Sequence, residues 1–196
     1  MKLVVGLGNP GPEYAATRHN AGLRVVERLA ERHAIALAAE RRLAARLGRG
    51  VVRGVRVALL APLTFMNASG RSVAAALEAL DPLDPAQDLL VVYDDLDLPF
   101  GRLRIRASGG AGGHRGLADV QQRLGRSDFA RLRFGIGRPP VGLDPIDYVL
   151  APFDAAEAAA LPERLAAAAD AVEVVLAEGV GRAMNQFNRD CTATSD

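Results

Sequence analysis

His19 is the side chain in this chain best suited by type to move a proton near neutral pH. It lies in Thr17-Arg18-His19-Asn20, after the glycine-loosened loop Gly6-Leu7-Gly8-Asn9-Pro10-Gly11. Asn9, Thr17 and Asn20 exchange hydrogen bonds without carrying charge. Far along the chain, the apolar run Leu89–Tyr93 ends in Asp94. If the strands ending at Gly6 and Tyr93 are parallel neighbours, His19, Asn9 and Asp94 gather at one sheet edge, where open α/β sheets bind ligands. A carboxylate on an imidazole fixes its tautomer and stabilises the imidazolium. A lone histidine before a helix is otherwise an ordinary cap or core residue; Asp94 is what turns the reading toward chemistry. No side-chain nucleophile accompanies the pair, because there is no G-x-S-x-G and the only cysteine is Cys191. Water is then the nucleophile and His19 its general base. Asn9 and Asn67 are placed to orient that water or donate to a developing oxyanion, although Asn67 fits an ordinary helix cap equally well.

The elements that must position these residues alternate in type. Leu3-Val4-Val5 is a short buried strand, and Asn20 to His33 has the apolar spacing of an amphipathic helix. Arg42–Gly48 and Val55–Leu60 read as two strands of a hairpin, and Pro62 ends the second. A helix is expected from about Ala68 to Leu80, capped by Asn67 or Ser69. Leu89–Tyr93 is apolar throughout, as in a strand buried on both faces. Arg102–Arg106 alternates with its cations on one face. Ser108–Gly116 is glycine-rich and opens a helix carrying Leu117, Val120 and Leu124, and Arg131–Gly137 is a further strand. Residues 138–146 read as loop. Asp154 and Glu157 form a capping-box pattern for a terminal helical region that Pro162 is expected to restart and Gly179 to close. These alternations predict a single α/β domain over residues 1–190: a twisted mixed β-sheet flanked by helices on both faces, with a disordered tail at 191–196.

Three further patterns have competing readings. Gly6-x-Gly8-x-x-Gly11 matches a dinucleotide fingerprint, but Pro10 and Pro12 remove amide donors and disfavour a helix where a pyrophosphate would need one. Asp94-Asp95-x-Asp97 suits a hard divalent cation, yet no histidine pair at ligand spacing supports it, so no metal is expected. Arg104, Arg106 and Arg133 flank the glycine-rich stretch and are either a phosphate clamp or a solvated charged face. Lys2 is the only lysine, so the abundance of arginine is not by itself a signal. The net charge of +1 over 196 residues argues against whole-molecule attraction to nucleic acid. No apolar run approaches the roughly 20 residues of a membrane span, and the first apolar stretch stops at Gly6, so neither a membrane partner nor a secretory leader is expected. One cysteine and no span imply a reducing, cytoplasmic setting. Nothing calls for an obligate dimer, and a monomer is expected.

Together these blocks resemble the bacterial-type peptidyl-tRNA hydrolases. The resemblance rests on G-L-G-N-P-G-x-x-Y-x-x-T-R-H-N-x-G (Gly6 to Gly22), P-x-T-F-M-N-x-S-G (Pro62 to Gly70), D-D-L-D-L-P-x-G (Asp94 to Gly101), G-G-x-G-G-H-x-G (Gly109 to Gly116) and R-L-R-x-G-I-G (Arg131 to Gly137). It implies cofactor-free hydrolysis of the ester joining a peptide to the 3′ ribose of tRNA, with recycling of tRNA from aborted translation. It implies His19 as base, Asp94 as its orienting partner, and Asn9 and Asn67 positioning substrate and water. Met66 would line the peptide channel, Tyr14 would stand near the ester, and His114 would belong to a loop gating the cleft. Arg106, where the family usually has lysine, would grip the tRNA 5′ phosphate with Arg133 beside the acceptor stem. One position departs: Arg115 stands where the family commonly carries asparagine, so the substrate contact there is altered while the base and its partner are intact.

Overall fold

Seven strands form one mixed sheet in the order β2-β3-β4-β1-β5-β7-β6, and a computed structural model describes residues 1–80 and 83–189. The strands are β1 (Lys2–Gly6), β2 (Ala38–Glu40), β3 (Ala45–Val52), β4 (Val55–Pro62), β5 (Leu89–Asp95), β6 (Leu103–Arg106) and β7 (Ala130–Gly135). β1 runs parallel to both β4 and β5, and β5 parallel to β7. The edges are antiparallel, β2–β3–β4 on one side and β6 on the other. Parallel strands must be covered on both faces, and α1 (Ala21–Arg32), α2 (Ser69–Ala79), α3 (Pro85–Asp88), α4 (Arg115–Leu124), α5 (Pro145–Leu150), α6 (Ala155–Glu178) and α7 (Val180–Phe187) supply the helices. Alternation along β5 divides the core: Leu90 and Val92 join α1, α6 and Tyr148 of α5, while Leu89, Val91 and Tyr93 join α2 and α4. This is the single mixed α/β sheet with helices on both faces that the sequence predicts.

Several local expectations are corrected. The first hairpin strand begins at Ala45, because residues 41–43 wind into a 3₁₀ turn and Ala44 takes a left-handed conformation (φ 48°). Ala68 caps α2 without a side-chain bond; neither Asn67 nor Ser69 does so, and the Ser69 hydroxyl instead donates to the Met66 carbonyl at 2.8 Å. Pro162 lies inside an unbroken α6 rather than restarting it, held there by burial of Leu161, Leu165 and Ala169 against the sheet. The Asp154–Glu157 capping box is present as read. The loop expected over 138–146 ends early, because residues 145–150 form α5, whose proline at the first turn and Asp144 cap are a helix-start signal. The tail expected at 191–196 lies outside the described residues. Among the described residues no helix is long and apolar enough to cross a membrane.

The start of α1 is pressed directly on β5. A Cβ on Gly22 would fall on the Val92 carbonyl and within 2.9 Å of the Tyr93 Cα. Both obstacles are backbone at the centre of the sheet, so neither side can yield. That contact sets the height of the turn carrying His19 above the end of β5. Gly22→Ala should therefore cost about 1–3 kcal/mol in urea unfolding and, by displacing His19 about an ångström, lower kcat/KM about 10²-fold. Parent-like stability and turnover would contradict this placement.

Candidate active site

The candidate residues meet over the C-terminal ends of β1 and β5. β1 delivers Asn9, which accepts a 2.7 Å bond from the Met66 amide through its Oδ1 and so turns its amide protons toward the cleft that it lines. Asn20 locks this loop reciprocally: its Oδ1 accepts from the Asn9 amide at 2.8 Å, and its Nδ2 donates to the Asn9 carbonyl at 3.0 Å. His19 sits in the 3₁₀ turn Arg18–Asn20. That turn is anchored by Arg18, a buried guanidinium that donates to the Pro152 carbonyl and Glu157, each at 2.6 Å, and lies 4.2 Å over the Tyr148 ring. The sequence reading missed this clamp, since an arginine beside a candidate base looks like a surface cation.

Asp94 is the hub. His19 Nδ1 lies 2.9 and 3.0 Å from its two oxygens, and His114 Nε2 lies 3.0 Å from Oδ1. The two imidazoles reach it from opposite layers, His19 ahead of α1 and His114 at the cap of α4. The His114 Nδ1 accepts from the Leu117 amide at 3.1 Å; its proton therefore resides on Nε2, and His114 donates to Asp94. Its ring also packs edge-on to Tyr93 at 4.9 Å. Asp94 is only 3% exposed. Burial alone would raise its pKa, but the charge and hydrogen bonds of His19 and His114 outweigh this and hold the carboxyl well below the usual carboxylate range. Asp94 is thus an anion accepting from both rings, and His19 keeps its proton on Nδ1. The lone pair of Nε2 is left for the cleft that His19 lines.

The cleft encloses about 540 Å³. Met66 and Asn67 line one wall with Phe65, while Ile146, Val149 and Leu150 of α5 form an apolar wall that the sequence reading did not anticipate. Asn67 is exposed there and caps nothing, which removes the competing reading of it as a helix cap. His114 and Arg115 complete the rim. Tyr14 does not line the cleft; it meets the Phe65 ring edge-on at 6.4 Å and so stands behind that wall.

The carboxylate cluster is spent on other partners: Asp94 on the imidazoles, Asp95 on Arg133, and Asp97 on Arg138 at 2.7 Å. Among the described residues, the ligand-type atoms that gather within 4.8 Å are those of His19, Asp94 and His114, and they are already joined by hydrogen bonds. Gly6–Gly11 does not open a helix, since α1 starts only at Ala21. Arg104 and Arg133 are register partners, as are Arg106 and Arg131, so all four lie on one face of the β6–β7 edge. Arg131 is buried and donates to the carbonyls of Gly109, Gly110 and Ser127 at 2.6, 3.2 and 2.7 Å. Arg133 is bound to Asp95 through Nε, and this partner raises its pKa even though burial lowers it. Arg104 is half-buried and Arg106 exposed.

Comparison with known proteins assigns the chain to a family. The model of the family described as Peptidyl-tRNA hydrolase matches residues 3–195. A peptidyl-tRNA hydrolase of Chloroflexus aggregans is 54% identical over 188 residues, covering 96% of this chain and 99% of the relative. One from Herpetosiphon aurantiacus is 48% identical over 195 residues, covering 100% and 94%. A crystal structure of a peptidyl-tRNA hydrolase in complex with N-propanol superposes with a TM-score of 0.90 at 39% identity, covering 98% of this chain and 97% of that one. The Acinetobacter baumannii enzyme at 1.00 Å resolution gives 0.88 at 39% identity, covering 96% and 94%. With a match across nearly its whole length, and with an imidazole–carboxylate pair built by the motifs that suggested it, the chain belongs to the peptidyl-tRNA hydrolase family.

Proposed function

We propose that this protein hydrolyses the ester between a peptide and the 3′ ribose of tRNA, with a water activated by His19. The observation that carries the reading is the His19 Nδ1–Asp94 hydrogen bond of 2.9 Å at the inner end of the cleft. His19 Nε2 takes a proton from water as the oxygen attacks the ester carbonyl. Asp94 stabilises the imidazolium without accepting its proton. The negative charge that develops on the carbonyl oxygen is met by amide protons of Asn9 and Asn67. Collapse of the tetrahedral intermediate breaks the bond to the ribose oxygen, which leaves as the 3′ hydroxyl with the proton from Nε2. The products are free tRNA and a peptide carboxylic acid, which loses its proton to solvent and leaves as the carboxylate, and the step draws on no cofactor or metal.

Met66, the Phe65 wall backed by Tyr14, and the apolar face of α5 hold the peptide. His114 keeps Asp94 charged and ties the cap of α4 to the catalytic pair. Arg104 and Arg106, with the Nη donors of Arg133, take the 5′ phosphate at the end of the acceptor stem. The Asp95 contact orients the Arg133 fork for this task without consuming it. The protein acts as a cytoplasmic monomer that returns tRNA from aborted translation.

His19→Ala should lower turnover of a model peptidyl-tRNA about 10²–10⁴-fold while filter binding of deacylated tRNA stays close to the parent; turnover at the parent's rate would end the assignment. Asp94→Asn should cost a similar factor, because an amide at this place offers His19 Nδ1 a donor and favours the unproductive tautomer. Arg106→Ala should erase the parent's preference for tRNA bearing a 5′ phosphate over tRNA bearing a 5′ hydroxyl. It should also reduce the log–log salt slope of binding by about 0.9. An undiminished preference would place the phosphate elsewhere.

A further inference from the structure

The 5′ phosphate and the scissile ester sit at different ends of the same RNA terminus. The phosphate closes the paired stem, whereas the ester hangs at the tip of a single-stranded 3′ extension with one anionic linkage per nucleotide. A substrate held at β6 by Arg104 and Arg106 and at the cleft by His19 must lay that strand over whatever lies between. β6 is joined to α4 by residues 107–114, of which Ala111 to His114, with Arg115 after them, line the cleft.

Two features of that connection are not accounted for by contacts among the described residues. The first is Arg115. It is exposed, lines the cleft and has no carboxylate partner among the described residues. It is also the first residue of α4, whose first turn holds no acidic side chain. A cation there faces the positive end of the helix dipole, so its placement does not serve stability. The neighbouring acids do not relieve it: Asp95 and Asp97 are bound to Arg133 and Arg138, and Asp119 accepts from the Gly70 amide at 2.7 Å.

The second feature is Gly110. Gly109, Gly112 and Gly113 take positive φ of 143°, 58° and 83°, so their backbone accounts for glycine there. Gly110 does not, and a Cβ built on it meets nothing within 4 Å. Neither conformation nor internal packing excludes a side chain. What a side chain would occupy is the open space above the loop, where a ligand approaching the backbone would lie. The loop beneath is firm, because buried Arg131 binds the carbonyls of Gly109 and Gly110 and turns both oxygens away from an incoming anion.

We infer that Gly110 and Arg115 form a bed for the sugar–phosphate backbone of the single-stranded 3′ end, with Arg115 paired to one phosphodiester. The inference rests on the reading above, in which the 5′ phosphate sits at β6 and the ester at His19. It differs from that reading in assigning a contact to the strand between the two anchors.

The test uses the full chain and peptidyl-tRNA made with a neutral methylphosphonate at each linkage of the 3′ extension in turn. In the parent, one such linkage should raise KM at least about fivefold, the loss of one charge-assisted contact. Arg115→Gln should raise KM comparably with all-phosphate substrate and show no further loss with that methylphosphonate. The log–log salt slope of its binding should be smaller than the parent's by about 0.7. Gly110→Ala should raise KM while its urea midpoint stays at the parent's value. Methylphosphonates that weaken parent and Arg115→Gln alike would overturn the pairing, as would a penalty in Arg115→Gln that appears only with acidic peptides. A Gly110→Ala protein with parental KM would overturn the bed. Comparing 5′-phosphate with 5′-hydroxyl substrates separates the two readings. A parent indifferent to that group but still coupled through Arg115 would lose the β6 anchor and keep the bed.

Discussion

A buried carboxylate with an imidazole on either side is the interaction on which the rest of this molecule depends. Taking Asp94 out of water is costly, and an unpaired charge at that depth would neutralise itself by binding a proton. Two ring N–H donors prevent this, one from each helical layer. The same contacts that keep Asp94 ionised therefore join the α1 layer to the α4 layer across the end of the sheet. The ionisation of Asp94 and the closure of the two layers are one arrangement, because the anion needs both rings and each ring needs its own helix in place.

Much of the surrounding structure is second-tier support for that arrangement. Arg18 spends its guanidinium on Pro152, Glu157 and an aromatic face, which fixes the turn next to His19. Asn20 holds Asn9, and Asn9 holds the amide of Met66, so the β1 loop and the start of the Met66 turn move together. Arg131 stiffens the glycine-rich loop from below. Each is a long or polar side chain taken inside and satisfied largely by backbone carbonyls or amides, which trade rotamer entropy for a site that is rigid before substrate arrives.

The arginines divide by what meets them. Arg18 and Arg131 act as internal struts, and Arg133 is tied to Asp95 at the margin of the cleft. Arg104, Arg106 and Arg115 project from the β6 edge and the first turn of α4 without carboxylate partners among the described residues. In a chain of net charge +1, these three cations stand on one stretch of chain that runs from β6 to the rim of the cleft. Net charge averages over the whole surface, whereas a polyanion responds to the local field within about a Debye length.

The sequence by itself determined the local chemistry and the local conformations. Apolar strand runs, helical spacing, the Asp154–Glu157 box and the residues available for proton transfer were legible because each depends on neighbours a few positions away. It did not determine that Asn67 is free of capping duty, that Pro162 lies within a continuous helix, or that residues 145–150 wall the cleft. Those outcomes follow from what packs against each segment, and packing outweighs propensities of a kcal/mol or so. The role of His114 was legible only as membership in a glycine-rich loop. Its hydrogen bond to Asp94, twenty residues away in the chain, needed the α4 cap and the end of β5 to meet. Tertiary structure alone decided that β1 and β5 are parallel neighbours, since strand adjacency is a property of the whole sheet, and that adjacency converted a histidine and an aspartate 75 residues apart into one hydrogen-bonded pair.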